Sequence, residues 1–195
     1  NKYNYFKDSN MNDFIDADVG YLEIILGPMF AGKTTKLIEK YRECAFLMKK
    51  VCVINYEEDK RYDDVKLSSH DLVKIDSTNL KHISDIFSND KLMESEIFLI
   101  NEGQFFPDLY PSVKKLVDEL HKTVYVYGLD GDYKREKFGD ILDLIPICNK
   151  VEKLTALCNM CKDGTKAYFT KRLTNETEQK LIGYDNYFAV CRNCY

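Results

Sequence analysis

Eight consecutive residues, Gly27-Pro28-Met29-Phe30-Ala31-Gly32-Lys33-Thr34, restrict the fold of this chain more than any other stretch. They satisfy the phosphate-binding pattern G-x-x-x-x-G-K-[ST] at each specified position. The run before them, Tyr21 to Leu26, is apolar and of strand length. After them, Lys36 to Lys50 carries Leu37, Ile38, Tyr41, Ala45 and Met48 at helical spacing. A strand, a glycine-rich turn and a helix, in that order, present backbone N–H groups and the positive end of a helix to phosphate. In that geometry Lys33 reaches the β- and γ-phosphates, and the Thr34 hydroxyl binds Mg²⁺. The chain is therefore read as one that handles a nucleoside triphosphate.

A length of 195 residues is enough for one domain with a substantial core, or for one domain plus a small appendage. Hydrophobic residues at 45% and charged residues at 31% are the proportions of an ordinary globular protein. The net charge of −4 argues against broad, non-specific attachment to nucleic acid. Apolar runs stop at strand length, well short of a membrane span, and Asn1 to Asp18 holds no signal-peptide hydrophobic region. No nucleic-acid or membrane partner is expected, and a cytoplasmic location is. Residue 1 is not Met, and Met11 is a candidate native start. The sequon Asn175-Glu176-Thr177 is read as coincidence in a chain with no secretory signal.

Strand and helix patterns alternate through most of the chain, which predicts a parallel sheet with flanking helices. Val51 to Tyr56 reads as a second buried strand, and Glu57 to Asp71 as an exposed loop. Leu80 to Asp90 reads as a helix with Leu80, Ile83 and Phe87 on one face. Ile97 to Ile100 is a further buried strand, and Val113, Leu116, Val117 and Leu120 mark an amphipathic helix. Thr123 to Tyr127 is another strand, ending in the turn Gly128-Leu129-Asp130-Gly131. Near residue 150 helical patterning gives way to a segment rich in Tyr, Thr and Lys. The expected organisation is a tail over 1–19, a phosphate-binding domain over 20–150 and a small domain over 151–195.

Seven cysteines are present, and four stand as Cys158-x-x-Cys161 and Cys191-x-x-Cys194. Each C-x-x-C offers two thiolates from a tight turn, and two such turns complete a tetrahedral Zn²⁺ site. Segments Lys166 to Lys171 and Gln179 to Ile182 are positioned to form a hairpin between them, giving a zinc ribbon. A redox role needs only one such pair, and a disulfide framework conflicts with the expected reducing compartment. With all four positions taken by cysteine, the metal is read as structural. Cys44, Cys52 and Cys148 fall singly in predicted core elements. The histidines, His70, His82 and His121, form no visible ligand set and receive no role.

The strand Ile97 to Ile100 runs into Asn101-Glu102-Gly103-Gln104-Phe105-Phe106-Pro107-Asp108. A carboxylate at a strand end near a phosphate loop is where a magnesium partner or a catalytic base is expected. Several segments together resemble the type II thymidine kinases, the cytosolic family that includes cellular and poxviral enzymes. They are GPMFAGKT, Asp59-Lys60-Arg61-Tyr62, EGQFFPD, Leu129-Asp130-Gly131 with Lys137-Phe138-Gly139, Thr170-Lys171-Arg172-Leu173, and YFAVCRNCY at Tyr187 to Tyr195. The resemblance runs in order from about Gly20 to Tyr195.

The resemblance implies an α/β fold: a P-loop NTPase-type parallel sheet with flanking helices plus a C-terminal zinc ribbon. It implies transfer of the γ-phosphate of ATP to the 5′-hydroxyl of thymidine, with Mg²⁺ and a structural Zn²⁺. Glu102 matches the general base, which accepts the hydroxyl proton, while Lys33 and Arg61 stabilise phosphate charge. ATP contacts are implied for Gly27 to Thr34, for Asp59, Lys60 and Arg61, and for Asn101, Glu102, Gly103 and Gln104. Met29, Phe105, Leu129, Phe138 and Tyr187 match residues that enclose the thymine, and apolar and aromatic side chains do make a flat slot for a pyrimidine. Tyr133, Thr170, Leu181, Ile182 and Gly183 fall in segments that touch the nucleoside, where the ribbon's loop closes over it as a lid. A homotetramer and inhibition by dTTP bound in the substrate site are also implied.

The chain departs from the family at three places. Asn101 stands where Asp is usual, dropping a negative charge beside Mg²⁺, so weaker metal binding or lower turnover is expected. Lys60 replaces a usual Thr. Gly183-Tyr184 replaces a common Gly-Gly pair, and the loop before Tyr187 is about one residue shorter. Two other readings share parts of the pattern: a deoxynucleoside kinase of different specificity, and a weakly active nucleotide-binding regulator whose ribbon contacts nucleic acid or protein. Intact Lys33, Thr34 and Glu102 and the acidic balance favour the active kinase.

Overall fold

The computed structural model describes residues 19–59, 75, 77–180 and 186–195. The continuously apolar strand sequences, Tyr21–Leu26 (β1), Val51–Tyr56 (β2), Ile97–Ile100 (β4) and Thr123–Gly128 (β5), are buried on both faces, as central parallel strands must be. Two short strands, Thr78–Leu80 (β3) and Lys150–Lys153 (β6), close the edges. The sheet order is β3-β2-β4-β5-β1-β6, and every pairing is parallel.

The period-2 alternation of the strands divides the core into two layers. On one face Leu22, Ile24, Leu26, Ile54, Phe98, Ile100, Val124 and Val126 meet the helix Leu109–Lys114 (α3) and the 3₁₀ turns Ile83–Ser88 and Ile141–Ile147. On the other, Tyr21, Ile25, Val53, Leu99, Tyr125 and Tyr127 meet Leu37 and Cys44 of the helix Lys33–Phe46 (α1). One buried charge interrupts this second layer. Glu23 accepts a hydrogen bond from the Tyr21 hydroxyl at 3.0 Å and pairs with Lys150 at 3.0 Å, which offsets its desolvation.

The ribbon is built from two antiparallel pairs. Ala156–Leu157 (β7) pairs with Lys166–Ala167 (β8), and Phe169–Arg172 (β9) pairs with Tyr187–Val190 (β10). Its small core is Ala156, Ala167, Ala189 and Val190 around two buried cysteines. No helix among the described residues is long and apolar enough to cross a membrane.

Four local expectations change. The first helix spans Lys33–Phe46 and stops short of Lys50. The N–H groups of Leu47 and Met48 bond back to Glu43 and Ala45, and Met48 takes a positive φ of 56° that ends the spiral. Cys44 fills the core position there, while Ala45 and Met48 face solvent. The helix expected over Leu80 to Asp90 is instead the end of β3, a 3₁₀ turn, and one turn of α-helix at Asp90–Met93 (α2). The Asp108 carboxylate causes the break: it accepts the N–H groups of Ile83 and Ser84 at 3.0 and 2.8 Å and starts a new turn at that point. Against the opposing effect of burial, these two N–H donors and the Ser84 and Ser112 hydroxyls hold the Asp108 carboxyl below its ordinary range. The helix expected around Val113 to Leu120 begins at Leu109 and closes in a single wider turn over Lys115–Glu119. Finally, the ribbon hairpin uses Tyr187–Val190, and Gln179-Lys180 lie in an irregular strap.

Phe98 is fully buried at the centre of the sheet, with a side chain that no neighbour can replace. Phe98→Ala is expected to lower unfolding free energy by about 3–5 kcal/mol, read from the midpoint of urea denaturation.

Candidate active site

Because the strands are parallel, β1, β2, β4 and β5 deliver their carboxyl ends to one edge of the sheet, where open α/β folds bind ligands. Four of the segments singled out for chemistry emerge at that edge. The glycine-rich loop follows β1, Asp59 follows β2, Asn101 and Glu102 follow β4, and Leu129 follows β5.

At the end of β1, Gly27 takes a φ of 149°, and a Cβ there would sit 2.8 Å from the Leu154 carbonyl oxygen. Only glycine fits the turn. Gly32 is the left-handed residue preceding α1, and the Lys36 N–H already bonds its carbonyl at 3.0 Å. Lys33 and Thr34 therefore lie inside the first helical turn, where unpaired N–H groups gather. The Lys33 side chain is buried and folds back over the loop, its Nζ donating to the Gly27 and Pro28 carbonyls at 3.0 and 2.7 Å. Thr34 is half-buried, and Phe30 projects outward at a φ of 63°.

After β4 the chain reverses sharply. Glu102 adopts left-handed angles, φ 53° and ψ 46°, which cost a non-glycine residue about 1–3 kcal/mol. Its carboxylate is buried and accepts a hydrogen bond from Gln104 Nε2 at 2.7 Å. Asn101 is buried beside it, as is Asp59 at the end of β2.

An apolar slot lies next to these groups. Met29 from the loop, Leu129, Phe138 and Tyr187 form one buried cluster, with Phe105 and Tyr133 against it. Phe105 meets Phe138 edge-on with ring centres 5.5 Å apart, and Tyr56 backs Phe105 at 5.6 Å. The ribbon reaches this slot through β9: the Thr170 hydroxyl accepts the Met29 N–H at 3.0 Å.

Arg172, two residues further along β9, binds a strap formed by residues 174–180. Its Nη atoms donate to the carbonyls of Glu176, Glu178 and Gln179 at 2.8, 2.6 and 3.3 Å. The same guanidinium donates twice to the Tyr187 hydroxyl and lies 3.7 Å over the Tyr133 ring. From the strap, Gln179 donates to Asp132 at 2.8 Å, and Lys180 pairs with Glu58 at 2.6 Å while sitting over the Tyr56 ring. The Lys180 ammonium is held above its ordinary range by Glu58 and Tyr56, against the effect of its burial.

The four ribbon cysteines bring their sulfurs within 4.8 Å of one another. Cys161 Sγ lies 3.8 Å from that of Cys191 and 3.4 Å from that of Cys194. A tetrahedron with Zn–S bonds of about 2.3 Å has edges of about 3.8 Å, so the set fits such an ion. The thiols are too far apart for disulfides. Backbone N–H groups, Cys161's first, aim at Cys158 and pull its pKa down to about 6, the thiolate form that metals bind. Cys161 is pushed up to about 12, chiefly by its hydrogen bond with Cys194.

Lys60, Arg61, Leu181, Ile182 and Gly183, with the shortened loop before Tyr187, lie outside the described residues. The phosphate-loop, Asp59, Asn101–Phe105 and Leu129 candidates lie at one edge of the sheet, and the four cysteines cluster in the ribbon. Sequence reasoning assigned nothing to Arg172, Asp132 or Gln179. Arg172 stood in a quoted segment, but its main partners are backbone carbonyls, which carry no residue-type signal.

A phosphate loop, a buried carboxylate and an aromatic slot at one sheet edge define a P-loop phosphotransferase. The family model for thymidine kinase matches residues 20–195. A thymidine kinase of Oryza sativa subsp. japonica is 41% identical over 90% of this chain and 66% of its own length. That of sheeppox virus is 39% identical over 91% of this chain and 98% of its own. A cytosolic thymidine kinase of Gallus gallus is 37% identical over 90% and 77%, respectively. The chain belongs to the thymidine kinase family, whose members are ATP-dependent phosphotransferases that work with a divalent metal.

Arg172→Lys keeps the charge but loses the fork that holds three carbonyls. It is expected to cost about 2 kcal/mol, lower Tm by about 4–8 °C and raise amide exchange in 174–180. Unchanged exchange in the strap would show that Arg172 does not hold it.

Proposed function

We propose that this protein transfers the γ-phosphoryl group of ATP to the 5′-hydroxyl of thymidine, giving dTMP. One observation carries the reading: a buried carboxylate, Glu102, stands at the same sheet edge as a phosphate loop and an apolar, aromatic cluster. The Met29, Leu129, Phe138 and Tyr187 slot orients the nucleoside by enclosing its base, with Phe105 and Tyr133 at its side. Glu102 accepts the proton of the attacking hydroxyl, and its left-handed backbone aims the side chain inward. The loop N–H groups and Lys33 take up the phosphate charge, for which Lys33 exchanges its loop carbonyls. Asp59 joins them from the end of β2, and the family resemblance adds Arg61. A divalent ion at the Thr34 hydroxyl supplies further charge neutralisation when bound.

The ribbon serves as a lid support, with Zn²⁺ on Cys158, Cys161, Cys191 and Cys194 fixing β9 and its Thr170 and Arg172 contacts. Thymidine triphosphate carries the same base and a phosphate chain, so it fits the slot and loop together as an inhibitor. A homotetramer is part of this reading; the exposed Phe46, Leu47 and Met48 at the end of α1 support burial against another copy. Cytosolic residence accords with seven cysteines that form no disulfide.

A transfer assay with ATP and Mg²⁺, offering thymidine, deoxyuridine, deoxycytidine and deoxyguanosine separately, tests the reading. Thymidine is expected as the preferred acceptor, and Glu102→Gln is expected to lower kcat by about 10²–10⁴-fold. Nucleotide binding without transfer to any nucleoside would favour the regulator. Running Asn101→Asp in the same assay checks whether the missing charge limits metal use or turnover. Elemental analysis is expected to find one zinc per chain, and its removal by chelator to unfold the ribbon and abolish activity. Full activity in zinc-free protein would refute the lid support.

A further inference from the structure

Gln104 is buried to 3% exposure, and its side chain spans two parts of the site. Its Nε2 donates to Glu102 Oε2 at 2.7 Å, and its Oε1 accepts the Leu129 N–H at 3.0 Å. The two neighbours fix which way the amide points. A backbone N–H can only donate, and a carboxylate can only accept, so the reversed amide would set like against like at both ends. The space for this bridge is reserved by Gly128, where a Cβ would lie 2.4 Å from Gln104 Oε1.

The bridge therefore connects the end of β4, which carries the carboxylate, with the end of β5, which carries the Leu129 wall of the slot. We propose that Gln104 is a positioning residue: it holds the Glu102 carboxylate toward the attacking hydroxyl and registers it against the bound base. This rests on the reading of Glu102 as the general base. It also gives Gln104 a different part from the nucleotide contact that family resemblance implies, because both ends of its amide are engaged within the protein.

The physical reason is orientation. A glutamate side chain has three rotatable bonds, and Glu102 already sits on a strained backbone. The charge-assisted hydrogen bond from Gln104 to Oε2 narrows the rotamers open to the carboxylate. The same carboxamide anchors Leu129, so a base seated against Leu129 finds the carboxylate at a fixed distance. Small displacements of a reacting group cost large factors in rate, so this anchor acts on turnover rather than on ATP affinity.

The test is a kinetic double-mutant cycle between Gln104→Met and Glu102→Gln, with Gln104→Glu as a second variant at the bridge. Gln104→Met keeps the length and removes both polar ends. It is expected to lower kcat about 10–100-fold, leave the ATP KM within about twofold, and raise the thymidine KM by no more than about fivefold. Gln104→Glu replaces the donor with a second acid and is expected to lower kcat at least as far. In the Glu102→Gln background the change at 104 is expected to add less than about threefold, because its effect passes through the carboxylate. A raised ATP KM with unchanged kcat would overturn the proposal in favour of a nucleotide ligand. Fully additive losses would overturn it in favour of a general structural role. If Glu102→Gln alone kept full kcat, the parent reading of the base would fail instead, whatever Gln104 did. Should Gln104→Met not fold, full turnover in Gln104→Glu would overturn the proposal.

Discussion

Parallel pairing of β1 with β5 on one side and β6 on the other is the constraint on which the rest depends. A strand placed between two parallel neighbours has no solvent face, so its sequence must be apolar throughout, as Tyr21–Leu26 nearly is. The same placement fixes where the chain emerges. With all six strands running one way, four loops carrying Lys33, Asp59, Glu102 and Leu129 are forced to a common edge. Their sequence separation of more than 90 residues ceases to matter.

The ribbon reaches the site so assembled through a few contacts of its own. Thr170 takes the Met29 N–H, Arg172 gathers three strap carbonyls and the Tyr187 hydroxyl, and Lys180 reaches back to Glu58 and Tyr56. Such contacts need β9 and β10 in register, and a ribbon core of three alanines and one valine buries too little apolar area to enforce that alone. Four clustered thiols fit a metal ion, which would contribute folding free energy directly when bound.

Polar burial near the site follows the same economy. Glu23, Asp108, Asp132 and Glu102 are carboxylates at low or intermediate exposure, and each meets at least one donor. At Asp108 and Asp132 the donors include pairs of backbone N–H groups, so the carboxylates shape turns. Glu102 accepts from a side-chain amide, Gln104, whose own oxygen is held by the Leu129 N–H.

The amino-acid sequence alone determined the phosphate loop, the four central strands, the paired cysteines and the acid after β4. Each is a local pattern: a glycine spacing, an apolar run, a C-x-x-C, a carboxylate at a strand end. Family likeness then supplied the slot residues, which composition alone would have left in the core. The break after Leu80 and the end of α1 were not legible, because Asp108 and Cys44 decide them through contacts distant in sequence or through competition for one core position. Tertiary structure alone decided the Arg172 strap and the Gln104 bridge. Their partners include backbone carbonyls and a backbone N–H, groups that carry no residue-type signal, so only spatial proximity could select them.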